Sequence, residues 1–201
     1  DIDTVPDQDM IEILLKNAEK IKNFSILAPK VKNFNYTDEL YIEHNKDKNC
    51  HKMKFITGCA LLFNMKILNK IGHFDENIFL YYEEHDLYYR CLKFGFAIYL
   101  IDDAKLIHHG SSSINKKYDY EINLTRNWHY CWSKFYYFKK NYGYFYGIKK
   151  TIPNFLRALR KYLFYKFVGD KKNSSLRMAE MQGLMASYFL RKSLRRPRIN
   201  M

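Results

Sequence analysis

The chain has 201 residues, of which 47% are hydrophobic and 27% charged, a balance that belongs to globular proteins and excludes a disordered or collagen-like chain. No run of about eighteen apolar residues occurs, which excludes an ordinary membrane-spanning helix, and no secretory leader pattern is present. The net charge of +13 is unevenly spread: residues 1–110 carry 14 Lys+Arg and 17 Asp+Glu, whereas residues 111–201 carry 20 and 4. The second stretch therefore suits an anionic partner, whether nucleic acid, membrane or phosphorylated substrate.

The pattern VPDQDMIEILLKNAEKIKN predicts a helix with Pro6 in its first turn, Asp7 and Asp9 at its positive end, and an apolar face of Ile11, Leu14, Leu15 and Ala18. SILAPKV predicts a short strand, and the polar stretch from Asn33 to Lys52 a loop. KFITGCALLF predicts a buried strand in which Gly58 marks either a bulge or a close backbone approach. NMKILNKIG predicts a short helix with Asn64 as N-cap and Gly72 just past its end. HFDENIFLYY reads as extended or loop. EEHDLYYRCLKFG then reads as a helix with Leu87, Cys91 and Leu92 facing inward and Gly95 capping it. FAIYLI and AKLIHH read as two strands, and SSSINKK as a loop.

From Tyr118 the chain is basic, aromatic and helical, with a helix after Pro153 and a last one near Leu176–Leu190. The terminal RKSLRRPRINM reads as a solvated tail. The alternation of strands and helices predicts an α/β layer structure over residues 1–115, followed by a helical extension over 116–201. Cys50, Cys59, Cys91 and Cys131 show no C-x-x-C pairing, which argues for reduced thiols in a cytosolic protein and against a zinc cluster.

Three groups of side chains can carry chemistry. Asp1 and Asp3 are two carboxylates one residue apart, oxygen donors suited to Mg²⁺ or Mn²⁺. Glu83, Glu84 and Asp86 crowd the start of a helix. Crowding raises carboxylate pKa values and can supply a general base, although acids at that position also simply complement the helix dipole. His108 and His109 end a strand, where imidazole can ligate a transition metal or serve structure alone.

In chain order, the motifs are Asp1-Ile2-Asp3, Pro6-Asp7, Thr57-Gly58-Cys59-Ala60, Gly72-His73-Phe74-Asp75-Glu76, Tyr82-Glu83-Glu84-His85-Asp86-Leu87 with Arg90, Gly95, and His108-His109-Gly110. Together they resemble the later part of a bacterial family-2 glycosyltransferase, close to the rhamnosyl and galactofuranosyl transferases, over roughly residues 1–115. The resemblance implies part of a glycosyltransferase A-type fold that begins at the D-x-D motif, so an N-terminal nucleotide-binding part is expected to precede this chain. It implies Asp1, Asp3 and His108 as ligands of a divalent cation, Mn or Mg. It implies Glu84 as the base, with Glu83 and Asp86 as alternatives, and Gly58, Cys59 and Arg90 at the substrate. Two departures stand out. The base position holds Glu where the family has Asp, and His73 follows the first glycine of the G-G-F-D-E motif.

The implied reaction is inverting transfer of a sugar from a nucleotide-sugar donor to the hydroxyl of a glycan or lipid-linked acceptor in cell-surface polysaccharide synthesis. The implied location is cytoplasmic and peripheral on the inner membrane face, with the basic, aromatic extension on an anionic lipid surface. Two competing readings are a catalytically inactive glycosyltransferase-like scaffold and a nucleic-acid-binding module. The second leaves the acidic cluster and His108 without a use.

Overall fold

A computed structural model of the chain describes residues 3–43, 49–110 and 116–198. In chain order its elements are β1 (Thr4–Pro6), α1 (Met10–Lys20), β2 (Phe24–Val31), β3 (Tyr41–Glu43), β4 (Cys50–Met53), β5 (Leu62–Phe63), α2 (Met65–Ile71), α3 (Glu83–Lys93), β6 (Ala97–His108), α4 (Asp119–Tyr142), α5 (Tyr144–Phe167) and α6 (Lys171–Tyr188). They form two compact units. One comprises Asp1–Phe74 with Leu87–Ser113, the other Asp75–Asp86 with Ile114–Met201.

The first unit is an α/β structure built on β6, whose apolar run is long enough to serve three neighbours. The sheet order is β3-β4-β6-β2-β5, with β1 also paired to β6. β2 and β6 run parallel and every other pair is antiparallel, so the sheet is mixed and open. β4 pairs with the first half of β6 and β1 with its last residues. The exchange of partners falls at an irregularity where Pro29 pairs with Ile101 but Lys30 pairs with Lys105. There Lys30 reaches Asp102 Oδ2 at 2.8 Å and Asn49 donates to Asp103 at 2.6 Å, so each acid of the irregular stretch has a partner, although Asp102 Oδ1 is buried without one among the described residues.

Strand alternation sorts the side chains onto the two sheet faces. Ile26, Ala28, Ile98 and Leu100 meet Ile67, Leu68 and Ile71 of α2 and Leu87, Tyr88 and Cys91 of α3. Leu27, Val31, Ile101 and Leu106 meet Met10 and Leu14 of α1. Burial of each large side chain contributes about 1.5–3 kcal/mol, so the two faces together account for the unit's cohesion.

Several sequence expectations are corrected in this unit. Pro6 lies in β1 and not in a helix, because Thr4–Pro6 pair with β6 and Asp7 N–H donates to Lys105 C=O. α1 therefore starts at Met10, and its buried stripe is Met10 and Leu14, with Ile11 and Leu15 exposed. The polar stretch 33–52 contributes β3 and β4. Of KFITGCALLF only Leu62–Phe63 is strand, and Gly58 lies in a turn. The two strands expected around residue 100 are one, β6.

Unit two is a bundle of α4, α5 and α6 joined by short connections. Gly143, at φ +94, turns α4 into α5, a backbone conformation that other residues resist. The α4–α6 crossing is close at Gly183, where a Cβ would collide with the Trp128 carbonyl. Trp128, Leu124 and Trp132 of α4 pack on Ala179 of α6, and Phe135 packs on Leu184. α5 begins at Tyr144 and carries Pro153 within it, whereas the sequence placed the helix start after the proline. Of the loop expected over residues 111–117, residues 111–115 lie outside the described residues, and Lys116–Tyr118 form a short 3-10 turn.

Segment 75–86, read from sequence as part of the first domain, belongs to the helical unit. Ser133 Oγ donates to Leu80 C=O at 2.8 Å, and both ends of the segment are tied to Lys140. The terminal segment is also not a free tail. Trp132 Nε1 donates to Arg191 C=O at 2.9 Å, and His129 Nε2 lies 2.8 Å from Arg195 C=O. Arg196 stacks on Phe79 with its guanidinium carbon 3.7 Å from the ring centre. Carbonyl acceptors and an aromatic face hold what its charge alone would send into water.

Candidate functional site

In the α/β unit, pairing of β1 with β6 sets Thr4 opposite His108 and lets His109 N–H donate to Asp3 C=O at 2.9 Å. Two motifs far apart in sequence thereby become neighbours. His108 Nε2 stands 3.2 Å from Asp3 Oδ1, with the carboxylate largely buried and the imidazole about one-third exposed. Asn33 locks this corner, since its side chain donates to His108 C=O at 2.7 Å and accepts from His108 N–H at 3.1 Å. Sequence reading assigned Asn33 to a loop and missed it. A lone Asn in a polar stretch carries no signal of its strand partner.

Asp1 lies outside the described residues. Asp3 and His108 form an oxygen–nitrogen pair whose chemistry suits a divalent cation with affinity for imidazole, such as Mn²⁺. Among the described residues no third His, Cys, Asp or Glu joins them in a metal-holding group.

The other predicted residues of this unit have structural partners. Arg90 donates to the carbonyls of Ile71 at 2.8 Å, Gly72 at 2.6 Å and His73 at 2.6 Å, closing the C-terminal end of α2. A cation there also complements the helix dipole. Cys59 is buried among the apolar side chains beneath α1, its Sγ 3.6 Å from Thr57 Oγ1, and Gly58 beside it is half-buried in the turn.

In the helical unit, the acidic cluster opens α3. Two successive tyrosines before it, Tyr81 at φ +64 and Tyr82 at φ +69, occupy the left-handed region. Bulky residues pay for that conformation, and such strain concentrates where a site must be aimed. Tyr82 lies against His85, Tyr130 and Tyr137, with ring centres 4.7, 5.6 and 5.5 Å away.

The three acids differ in their surroundings. Burial raises the pKa of Glu83, and the neighbouring Glu84 carboxylate raises it further. Glu83 Oε2 is buried and has no hydrogen-bond partner. Burial also raises the pKa of Glu84, against a smaller lowering by a backbone N–H. Asp86 is wholly buried, 2.8 Å from Lys140 Nζ and 3.1 Å from Asn141 Nδ2. Its carboxylate is thus committed to an ion pair, while Glu83 and Glu84 have the perturbed character of proton-transfer groups.

Lys140 also reaches Asp75 at 2.7 Å, and Tyr136 donates to the same carboxylate at 3.0 Å. Asn77 donates to Asp75 twice, both at 2.9 Å. Burial would raise Asp75, but the hydrogen bonds from Lys140, Asn77 and Tyr136 outweigh it and bring its pKa down to about 2. Lys140 is the residue sequence reading missed here, its one visible trace the basic pair Lys139-Lys140 inside an aromatic helix; Asp75 reads in sequence only as part of the Gly72–Glu76 motif, without a role.

Comparison with family models, with curated proteins and with solved structures finds no match.

Proposed function

We propose that the protein is an inverting glycosyltransferase on a glycosyltransferase A-type scaffold. It moves a sugar from a nucleotide-sugar donor to a hydroxyl of a glycan or lipid-linked acceptor in cell-surface polysaccharide synthesis. One observation carries the reading: His108, the last residue of β6, and Asp3, just before β1, meet at 3.2 Å. A largely buried carboxylate beside an imidazole is the kind of donor pair that a cation on a departing diphosphate needs.

In this reading Asp3 and His108 are ligands of Mn²⁺ or Mg²⁺, which neutralises charge on the leaving diphosphate. Glu84 takes the proton of the acceptor hydroxyl. Burial favours this role, because a carboxylate with a raised pKa is a stronger base once ionised. Glu83, whose buried oxygen lacks a partner and whose pKa burial and the neighbouring Glu84 raise, is the alternative base. The protein works at the inner membrane face as a peripheral component. Among the described residues no helix is long and apolar enough to cross a bilayer.

A non-catalytic scaffold of the same type is the second reading. It is favoured by the engagement of Arg90 and Asp86 in structural bonds. Donor hydrolysis measured with and without Mn²⁺ separates the two. Metal-dependent release of nucleotide that falls at least about tenfold in Asp3→Asn is the result expected of the enzyme. Release that ignores both metal and substitution would leave the scaffold.

A further inference from the structure

Helix α5 is built inside out. Its buried residues are the small Gly147, Thr151 and Ala158, with Ile148 and Phe155 packed partly buried beside them, while many of its other large side chains point outward. Phe145 is 86% exposed and Phe167 91%, and Ile152, Leu156 and Leu163 are exposed between them. At 3.6 residues per turn these five fall within about 60° of arc, one continuous apolar line along a helix of 24 residues. Phe164 lies beside it, also exposed. An apolar line of this length left in water marks an interaction surface.

The charges along the same helix say what covers it. α5 contains Lys149, Lys150, Arg157, Arg160, Lys161 and Lys166 and no Asp or Glu. Lys149 and Arg160 project along the apolar line or at its margin and Lys166 flanks it, while Lys150, Arg157 and Lys161 lie further round the helix. A second copy of the helix would set these cations against their own kind, a repulsion with no acid on α5 to offset it. An RNA strand would neutralise them but offers nothing to aliphatic Ile152, Leu156 and Leu163. An anionic bilayer satisfies both sets: headgroup phosphates take the cations, and the acyl boundary takes the apolar line, with long Lys and Arg stems reaching up to the phosphates.

We infer that the exposed face of α5 docks on the surface of an anionic lipid bilayer, lying parallel to it. The inference stands on the composition and exposure of α5 and holds or fails independently of glycosyl transfer.

The test is co-sedimentation of the full chain with vesicles of phosphatidylcholine alone or mixed with phosphatidylglycerol, beside the double variant Leu156→Glu/Leu163→Glu. Both positions are exposed, so the bundle is expected to fold, and circular dichroism checks that it does. Wild type should sediment with the anionic vesicles and not with phosphatidylcholine alone. The double variant should bind at least about tenfold more weakly, since loss of even one leucine's burial is worth about a decade. Lys149→Gln/Arg160→Gln should bind more weakly, with a shallower salt dependence, while keeping the apolar line. Equal sedimentation of the Leu→Glu variant, no sedimentation of wild type, or indifference to lipid charge would each overturn the inference. So would a wild-type dimer that the Leu→Glu variant dissolves, or binding to RNA that survives the Leu→Glu change while vesicle binding is absent.

Discussion

Asp86 and Lys140 meet at 2.8 Å, and Asp86 has no exposure to solvent at all. Burying a carboxylate this deep is costly unless it is paired, and the Lys140 ammonium and the Asn141 amide supply partners. The pair fastens the start of α3 to the end of α4. Asp86→Asn keeps the shape but removes the charge, and it is expected to lower unfolding free energy by about 1–3 kcal/mol. The midpoint of urea unfolding reads this directly. An unchanged midpoint would deny the pair its structural role and return Asp86 to the candidates for the base.

Asp75 makes the same unit sensitive to acid. Its pKa in the folded protein is about 2, below the unfolded value near 3.9. A depressed carboxylate contributes stability that is fully present above the unfolded value and lost as pH falls toward the folded one. Unfolding free energy should therefore drop between about pH 4 and pH 2, by roughly 2 kcal/mol from this group. Asp75→Asn should flatten that part of the profile. A wild-type curve as flat as the variant's would contradict the assignment.

The docked terminal segment depends on a neutral histidine. His129 is wholly buried, with Ser193 Oγ 2.9 Å from Nδ1 and Arg195 C=O 2.8 Å from Nε2. The carbonyl can only accept, so Nε2 donates, and Nδ1 accepts from the serine hydroxyl. Burial lowers the pKa of His129, and the Arg195 and Arg196 charges lower it further, beyond what the Arg195 carbonyl restores. The folded state thus binds its proton more weakly than the unfolded chain does. Its contribution is complete above the unfolded value of about 6.5 and is lost as pH falls below it. Hydrogen exchange of residues 191–196, corrected for intrinsic rates, should accelerate as the solution is acidified through that range. Ser193→Ala should speed it already at neutral pH. Protection that stays constant with pH would show that the proton on His129 does not matter to docking.

Local signals carried much of the α/β unit. Gly72 and Gly95 end their helices at φ +86 and φ +78, as helix-ending glycines do. Leu87 and Cys91 are buried as their spacing on α3 required. Expectations failed where a distant partner overrode a local pattern. Pro6 suits a helix start, yet the free edge of β6 claims residues 4–7 first. Arg191–Arg196 look like a solvated tail because charge is all that the local sequence displays. Trp132, His129 and Phe79, which hold the segment, lie dozens of residues away. At the candidate site the types were legible and the environments were not. Glu83, Glu84 and Asp86 read alike as acids, and only Lys140, from α4, commits one of them to an ion pair.

Glu84 remains the residue on which the proposed chemistry turns. The direct measurement is single-turnover sugar transfer from a nucleotide-sugar donor by wild type and Glu84→Gln, each across pH, with donor affinity measured alongside. The account predicts a fall of about 10²–10⁴-fold in the variant with donor affinity nearly unchanged. It also predicts that the wild-type rate climbs with pH through a pKa above that of an ordinary glutamate, a limb the variant lacks. Wild-type turnover in Glu84→Gln, or the same acid limb in both proteins, would contradict it.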